Sequence, residues 1–119
     1  MKCKLLIPVL VLIMTFSSIT SCSSGCDNSR PRAKITNNGT DKASVQIKTS
    51  NGNTENINNI ETGTVSDWVY YDAGQIEYTV EIQGEANPIE INVNMSTCFE
   101  YNIIIDDQNN VTSVPTERE

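Results

Sequence analysis

Gly74-Gln75-Ile76-Glu77-Tyr78-Thr79-Val80-Glu81-Ile82-Gln83-Gly84-Glu85-Ala86-Asn87-Pro88-Ile89-Glu90-Ile91-Asn92-Val93-Asn94-Met95 is the stretch whose reading decides the fold. Ile76, Tyr78, Val80 and Ile82 alternate with Glu77, Thr79 and Glu81. After a turn over Gly84-Glu85-Ala86-Asn87-Pro88, Ile89, Ile91, Val93 and Met95 alternate with Glu90, Asn92 and Asn94. A period of two puts every apolar side chain on one face and every acid or amide on the other, the pattern of antiparallel strands with one side wet.

The same period spreads in both directions. Downstream, Phe99, Tyr101, Ile103 and Ile105 repeat it, Asp106-Asp107-Gln108-Asn109 turns the chain, and a short strand over Asn110 to Val114 follows. Upstream, Val65 to Tyr71 is aromatic and β-branched, with Trp68 and Tyr70 on one face and Val69 and Tyr71 on the other. Val45 and Ile47, and before them Ala33 and Ile35, alternate with polar residues, and Asn51-Gly52 is a strong hairpin signal. Thr54 to Ile60 reads as an edge strand or ordered loop, since Ile57 and Ile60 share a strand face only across a bulge. Seven or eight short strands with no helical period predict an all-β fold. It is a single antiparallel β-sandwich of immunoglobulin-like type over residues 32–114, ending in a disordered tail at 115–119. With Gly63, Gly74 and the strands of Trp68 and Tyr78, the domain loosely resembles the small immunoglobulin-like or transthyretin-like modules of bacterial envelope lipoproteins.

The N-terminus opens on Met1-Lys2-Cys3-Lys4, then an apolar run from Leu5 to Phe16, too short to span a bilayer core of ~30 Å. Ser17, Ser18 and Ile19-Thr20-Ser21-Cys22 follow. This order resembles the signal of bacterial lipoproteins, whose lipobox is an aliphatic residue, two small residues and a cysteine. The resemblance implies a cleaved signal at 1–21, a lipid on Cys22, a tether at 22–31 and a place on the cell envelope. Ser23 after the anchor points to the outer membrane under the best-known sorting rule of that family.

Removing residues 1–21 of 119 leaves 98, one domain's worth. Lys2 and Lys4 leave with the signal, so six cations face fifteen carboxylates, a net charge of −9. That balance argues against nucleic acid as a partner. Arg30, Arg32, Lys34, Lys42 and Lys48 fall early, whereas every charged residue from Glu55 to Glu117 is acidic. Either the basic part lies beside anionic headgroups at the anchor or these are simply solvated strand faces.

In an oxidising envelope Cys26 and Cys98, 72 positions apart, are expected to pair; a loop of that length stabilises by roughly 4 kcal/mol in the chain-entropy model. A regular strand would point the Cys98 sulfur away from the core. Histidine is absent, so histidine-based nucleophile schemes are excluded, and Glu77, Glu81 and Glu90 sit on wet strand faces. No catalytic residue, cofactor or metal is expected; the turn Asp106-Asp107-Gln108-Asn109-Asn110 lacks the order of a calcium loop. Trp68, Tyr70 and Tyr71 are the candidate binding aromatics, with Trp68 as a central core residue the competing reading. Two functions fit: a non-catalytic interaction module of the envelope engaging a protein or glycan, or an inhibitor of a lysozyme-like hydrolase. The oligomeric state is not readable.

Overall fold

From residue 32 onward the alternation is realised as nine strands in the computed structural model, which describes residues 26–118. The segment 1–21 and Cys22 lie outside the described residues. The strands are β1 (Arg32–Asn37), β2 (Ala43–Lys48), β3 (Thr54–Ile60), β4 (Thr64–Val65), β5 (Val69–Tyr70), β6 (Gly74–Ile82), β7 (Ile89–Met95), β8 (Phe99–Ile105) and β9 (Val111–Glu117). One sheet runs β4-β1-β8-β9, with β5 beside β4 on the same edge of β1; the other runs β3-β2-β6-β7. The all-β sandwich is thus present, with nine strands rather than seven or eight. One pair departs from an antiparallel pattern: β1 lies parallel to β8, in register from Arg32↔Glu100 to Asn37↔Ile105.

The core is built by the alternating residues. Ala33 and Ile35 of β1 and Tyr101, Ile103 and Ile105 of β8 face Val45 and Ile47 of β2 and Ile76, Tyr78 and Val80 of β6, all buried. At about 25 cal/mol per Å² of apolar surface removed from water, this shared layer is the main favourable term. In β3 the pairing shifts between Ala43↔Ile60 and Val45↔Ile57, and Asn59, at φ 58°, donates its N–H to the Ser44 hydroxyl at 3.1 Å. This bulge brings Ile60 into the core while Ile57 packs at its margin.

Two expected boundaries move. The tail expected from residue 115 is in fact strand through Glu117, with Pro115 opposite Tyr101 and Glu117 opposite Phe99. Proline is tolerated because β9 is an edge and spares one row of backbone donors. Of the segment 22–31 expected as a tether, the part described, from Cys26 onward, is fastened to the domain. Cys26 is disulfide-bonded to Cys98 (Cα–Cα 5.7 Å), the Cys98 N–H donates to the Ser29 carbonyl, and the Tyr71 N–H donates to the Pro31 carbonyl. Cys98 is not in the strand but in the turn before β8, at φ 67°. Arg118 closes the same end, its N–H donating to the Cys98 carbonyl and its guanidinium to the Arg30 carbonyl.

The opposite pole is held by amides. Asn37 is fully buried: its side-chain N–H groups donate to the carbonyls of Asp41 (3.0 Å) and Ile60 (2.8 Å), and its carbonyl accepts the Gly39 N–H (2.8 Å). Asn109, at φ 64°, accepts the Thr40 N–H and donates to the Thr40 hydroxyl. A Cβ on Gly39 would sit 2.6 Å from Asn109 Oδ1, so only glycine lets the loops meet.

Tyr78 is wholly buried, and its hydroxyl has no hydrogen bond of normal geometry; the Tyr71 hydroxyl is its polar neighbour. Burial pushes Tyr71 up to about 12, with the Glu55 carboxylate adding to the rise and the Tyr78 hydroxyl opposing it. Burial raises Tyr78 as well. A hydroxyl that ionises later in the folded chain than in the unfolded one adds stability below pH ~10 that is lost as pH rises toward the folded value. The unfolding free energy from urea melts is therefore expected to hold steady, as far as these two groups are concerned, below pH ~10 and to fall above it by about 1.4 kcal/mol per pH unit per tyrosine. Tyr71→Phe with Tyr78→Phe should flatten that fall, and Tyr78→Phe alone should raise the neutral-pH midpoint by removing an orphan hydroxyl.

The disulfide gives a second expectation. Replacing Cys26 and Cys98 by serine is expected to cost roughly 4 kcal/mol. Parallel urea melts of the two forms check it, and a loss under about 1 kcal/mol would mean that the base is held without the bond.

Candidate functional site

A bulge on the edge of β1 decides which aromatics reach the surface. Thr36 pairs with Val65 and Ala33 with Val69, so two residues of β1 stand opposite three, Ser66, Asp67 and Trp68. Ser66 fills the gap: its hydroxyl accepts the Ile35 N–H at 2.9 Å and its N–H donates to the Ile35 carbonyl. The extra residue flips the alternation, so that Val65, Trp68 and Tyr70 share the outer face while Val69 and the buried Tyr71 turn inward.

On that outer face Arg32 is the hub. Its guanidinium donates twice to Glu100 Oε1, at 2.7 and 3.0 Å, and once to the Tyr70 hydroxyl at 3.3 Å. It also lies 4.3 Å from the centre of the Trp68 ring and 5.9 Å from that of Tyr70. The Glu100 hydrogen bonds, ahead of the opposing cost of burial, hold the guanidinium more firmly protonated than usual. Lys34 places its ammonium 4.8 Å from the Trp68 ring centre and has no ion-pair partner among the described residues. Arg118 lies 5.7 Å from the Tyr70 ring, and Arg30 pairs with Asp72 at 3.4 Å. Cation–ring contacts at such half-exposed sites are worth about 0.5–1 kcal/mol each.

The large apolar side chains exposed among the described residues are Val65, Tyr70 and Val114, and all three are on this face. Val114 pairs with Asn102, whose side chain accepts the Thr36 hydroxyl proton. An open depression of about 170 Å³ runs between Lys34, Trp68, Glu100, Asn102, Val114 and Thr116. The outer face of the other sheet is different: Gln46, Lys48, Glu77, Thr79, Glu81, Glu90, Asn92 and Asn94 line it, with no large apolar group. A larger hollow of about 400 Å³ lies at the far pole against the Gln83–Pro88 loop, lined by Lys42, Asn59, Glu81 and Glu85 among others. It is open and polar, without converging buried groups.

The expected site residues therefore part company. Trp68 is not a core residue but half-buried on the outer face; Tyr70 is exposed beside it; Tyr71, expected among the binding aromatics, is buried against Tyr78 and leaves the list. Cys26 and Cys98 are bonded. Val65, Val114 and the cation partners Arg32, Lys34 and Arg118 were not singled out by sequence; the polar pair Ser66-Asp67 inside an apolar run was the available signal for the bulge. In the turn over Asp106–Asn110, the Asp106 carboxylate accepts the N–H groups of Asn110 and Gln108, which hold it below its ordinary range. Both bonds fall on Oδ1, which is thereby engaged in the turn itself. Among the described residues no group of three or more His, Cys, Asp or Glu converges on a metal position. No protein-family model matches the chain, and no curated protein matches it.

Since the Arg32–Glu100 pair is about a quarter exposed, its coupling is expected to be modest, about 1 kcal/mol in a double-mutant cycle over Arg32→Met and Glu100→Gln. Arg32→Met should also change Trp68 emission without unfolding the domain. Unaltered emission in that variant would mean that the guanidinium does not hold the indole.

Proposed function

We propose that this protein is a lipid-anchored, non-catalytic binding module of the bacterial cell envelope, and that it recognises its partner through the outer face of the β4/β5-β1-β8-β9 sheet. One observation carries the reading: Val65, Tyr70 and Val114 are exposed together beside half-buried Trp68, whereas the opposite face is polar throughout. Solvent alone gives no reason for an aromatic–apolar cluster on a charged domain; such clusters mark interaction surfaces. Trp, Tyr and Arg in one place are the composition of interface hot spots. The lipobox-like Ile19-Thr20-Ser21-Cys22 supports anchoring through Cys22, and Ser23 supports the outer membrane as the destination.

Two measurements in cells test this. Radiolabelled palmitate is expected on the wild-type chain and absent from Cys22→Ser, which should fractionate as soluble. A photo-cross-linking residue at Val114 is expected to give an adduct, and one at Gln46, on the opposite face, none. Label on Cys22→Ser would end the anchoring part, and equal adducts from both faces would end the recognition part.

A further inference from the structure

We infer that the free edge of β7 is a self-association surface, on which a second copy of this chain adds its own β7, antiparallel and about a twofold axis at Asn92. Among the described residues the two sheets have four edges, and three of them are blunted. The edge formed by β4 and β5 is cut into two-residue pieces by the bulge at residues 66–68, β3 is bent by the bulge beside Asn59, and β9 carries Pro115, which has no N–H to offer. β7 has none of these devices. It pairs with β6 in unbroken register from Gly74↔Met95 to Val80↔Ile89, holds no proline, no positive φ and no lysine, and has Glu90 as its one charge. No strand lies along its other side among the described residues, so its outer row of backbone N–H and C=O groups is a template for one more strand.

The order of residues in β7 selects its own copy as that strand. Core faces stay aligned across an antiparallel pair only when inward residues oppose inward residues, and full overlap of Ile89–Met95 then sets Asn92 against the partner's Asn92. Glu90 meets the partner's Asn94, an acceptor opposite a donor, while Ile91 meets the partner's Val93 and Ile89 the partner's Met95. Ile89 and Ile91 are half-buried at the margin of the core, whereas Val93 and Met95 are buried, so this register covers the apolar surface that the edge leaves wet. The two Glu90 carboxylates stand four residues apart along the strands, about 13 Å, which exceeds a Debye length of about 8 Å at physiological salt. Such a pairing closes at two copies and leaves a bulged β3 at each end of the joined sheet. Since β7 runs from the far pole to the base, the axis sets one copy's base beside the other's far pole, and copies anchored on one surface would lie along it. A foreign extended segment is the competing occupant, and it gives no reason for a self-matching order. The inference uses the strand edge alone and stands apart from the reading of the outer face.

Cysteine cross-linking in cells tests both the pairing and its register. Full-length chains with one added cysteine are oxidised mildly, and the wild-type chain sets the background. Opposed Cβ atoms across antiparallel strands are about 5 Å apart, within reach of a disulfide. Asn92→Cys is expected to give a disulfide-linked product of twice the chain mass. Gln46→Cys, exposed on the same sheet face but two strands in from the edge, is expected to stay at background. Glu90→Cys and Asn94→Cys are each expected to stay near background alone and to link to one another when coexpressed. Asn92→Lys, which sets two ammonium groups face to face, is expected to lower that coexpressed yield about tenfold. No product from Asn92→Cys, equal product from Gln46→Cys, or linkage to a different protein in place of a second copy overturns the self-pairing. Efficient linkage by Glu90→Cys alone overturns the register.

Discussion

The parallel ladder between β1 and β8 is the constraint on which the rest depends. It joins positions 68 apart, Arg32 to Glu100, and runs in register to Asn37↔Ile105. Pairing such distant segments means closing a long loop before any contact rewards it. The Cys26–Cys98 bond stands at the origin of this ladder, two positions from its first pair on the β8 side. Once formed, it leaves the ladder only a short loop to close, so the entropic cost falls largely on the unfolded chain. On either side of the ladder the remaining strands add by antiparallel pairing, β9 through a five-residue connection from β8 and the broken β4/β5 edge on β1.

The ladder also makes the two ends of the sandwich unlike. Because β1 and β8 start together, the lead-in, Cys98 and Arg118 are stacked at one pole, and because they end together, the β1–β2 and β8–β9 loops meet at the other. There Asn37, Gly39 and Asn109 solve a packing problem: buried backbone carbonyls need donors, and one amide side chain serves the Asp41 and Ile60 carbonyls from inside the core. The base is closed by a disulfide and by paired charges; the far pole is amide-bonded and acidic.

The strands were legible in the sequence because burial on one face writes a period of two, and from Gly74 to Ile105 little interrupts it. Their pairing was not. Nothing local in Arg32-Ala33-Lys34-Ile35 names Glu100-Tyr101-Asn102-Ile103 as its neighbour, since a parallel crossover leaves no turn signature between its strands. The tail was misread for a related reason: Val114-Pro115-Thr116-Glu117 has poor strand propensity, and only the waiting edge of β8 orders it. For the candidate site the aromatic run was visible but its facing was half visible. Strict alternation puts Trp68 and Tyr70 together, as found, yet it also puts Val65 with Val69; the bulge at Ser66 is what sends Val65 outward. Tyr71 falls with Val69 on the inward side by the same alternation, and there it is buried. The cysteine pair, by contrast, could be read from number and expected compartment alone.

The ladder also has a consequence for the nascent polypeptide. β1 leaves the ribosome before every other strand, but the residues it pairs with follow late: Tyr70 comes 38 positions after Arg32 and Glu100 comes 68 after it. Until then Ala33 and Ile35 have no sheet to join, and a hairpin of β6 and β7 can form without them. A chain stopped short of β8 can pair β1 only with the short β4 and β5, and its other edge stays open and aggregation-prone.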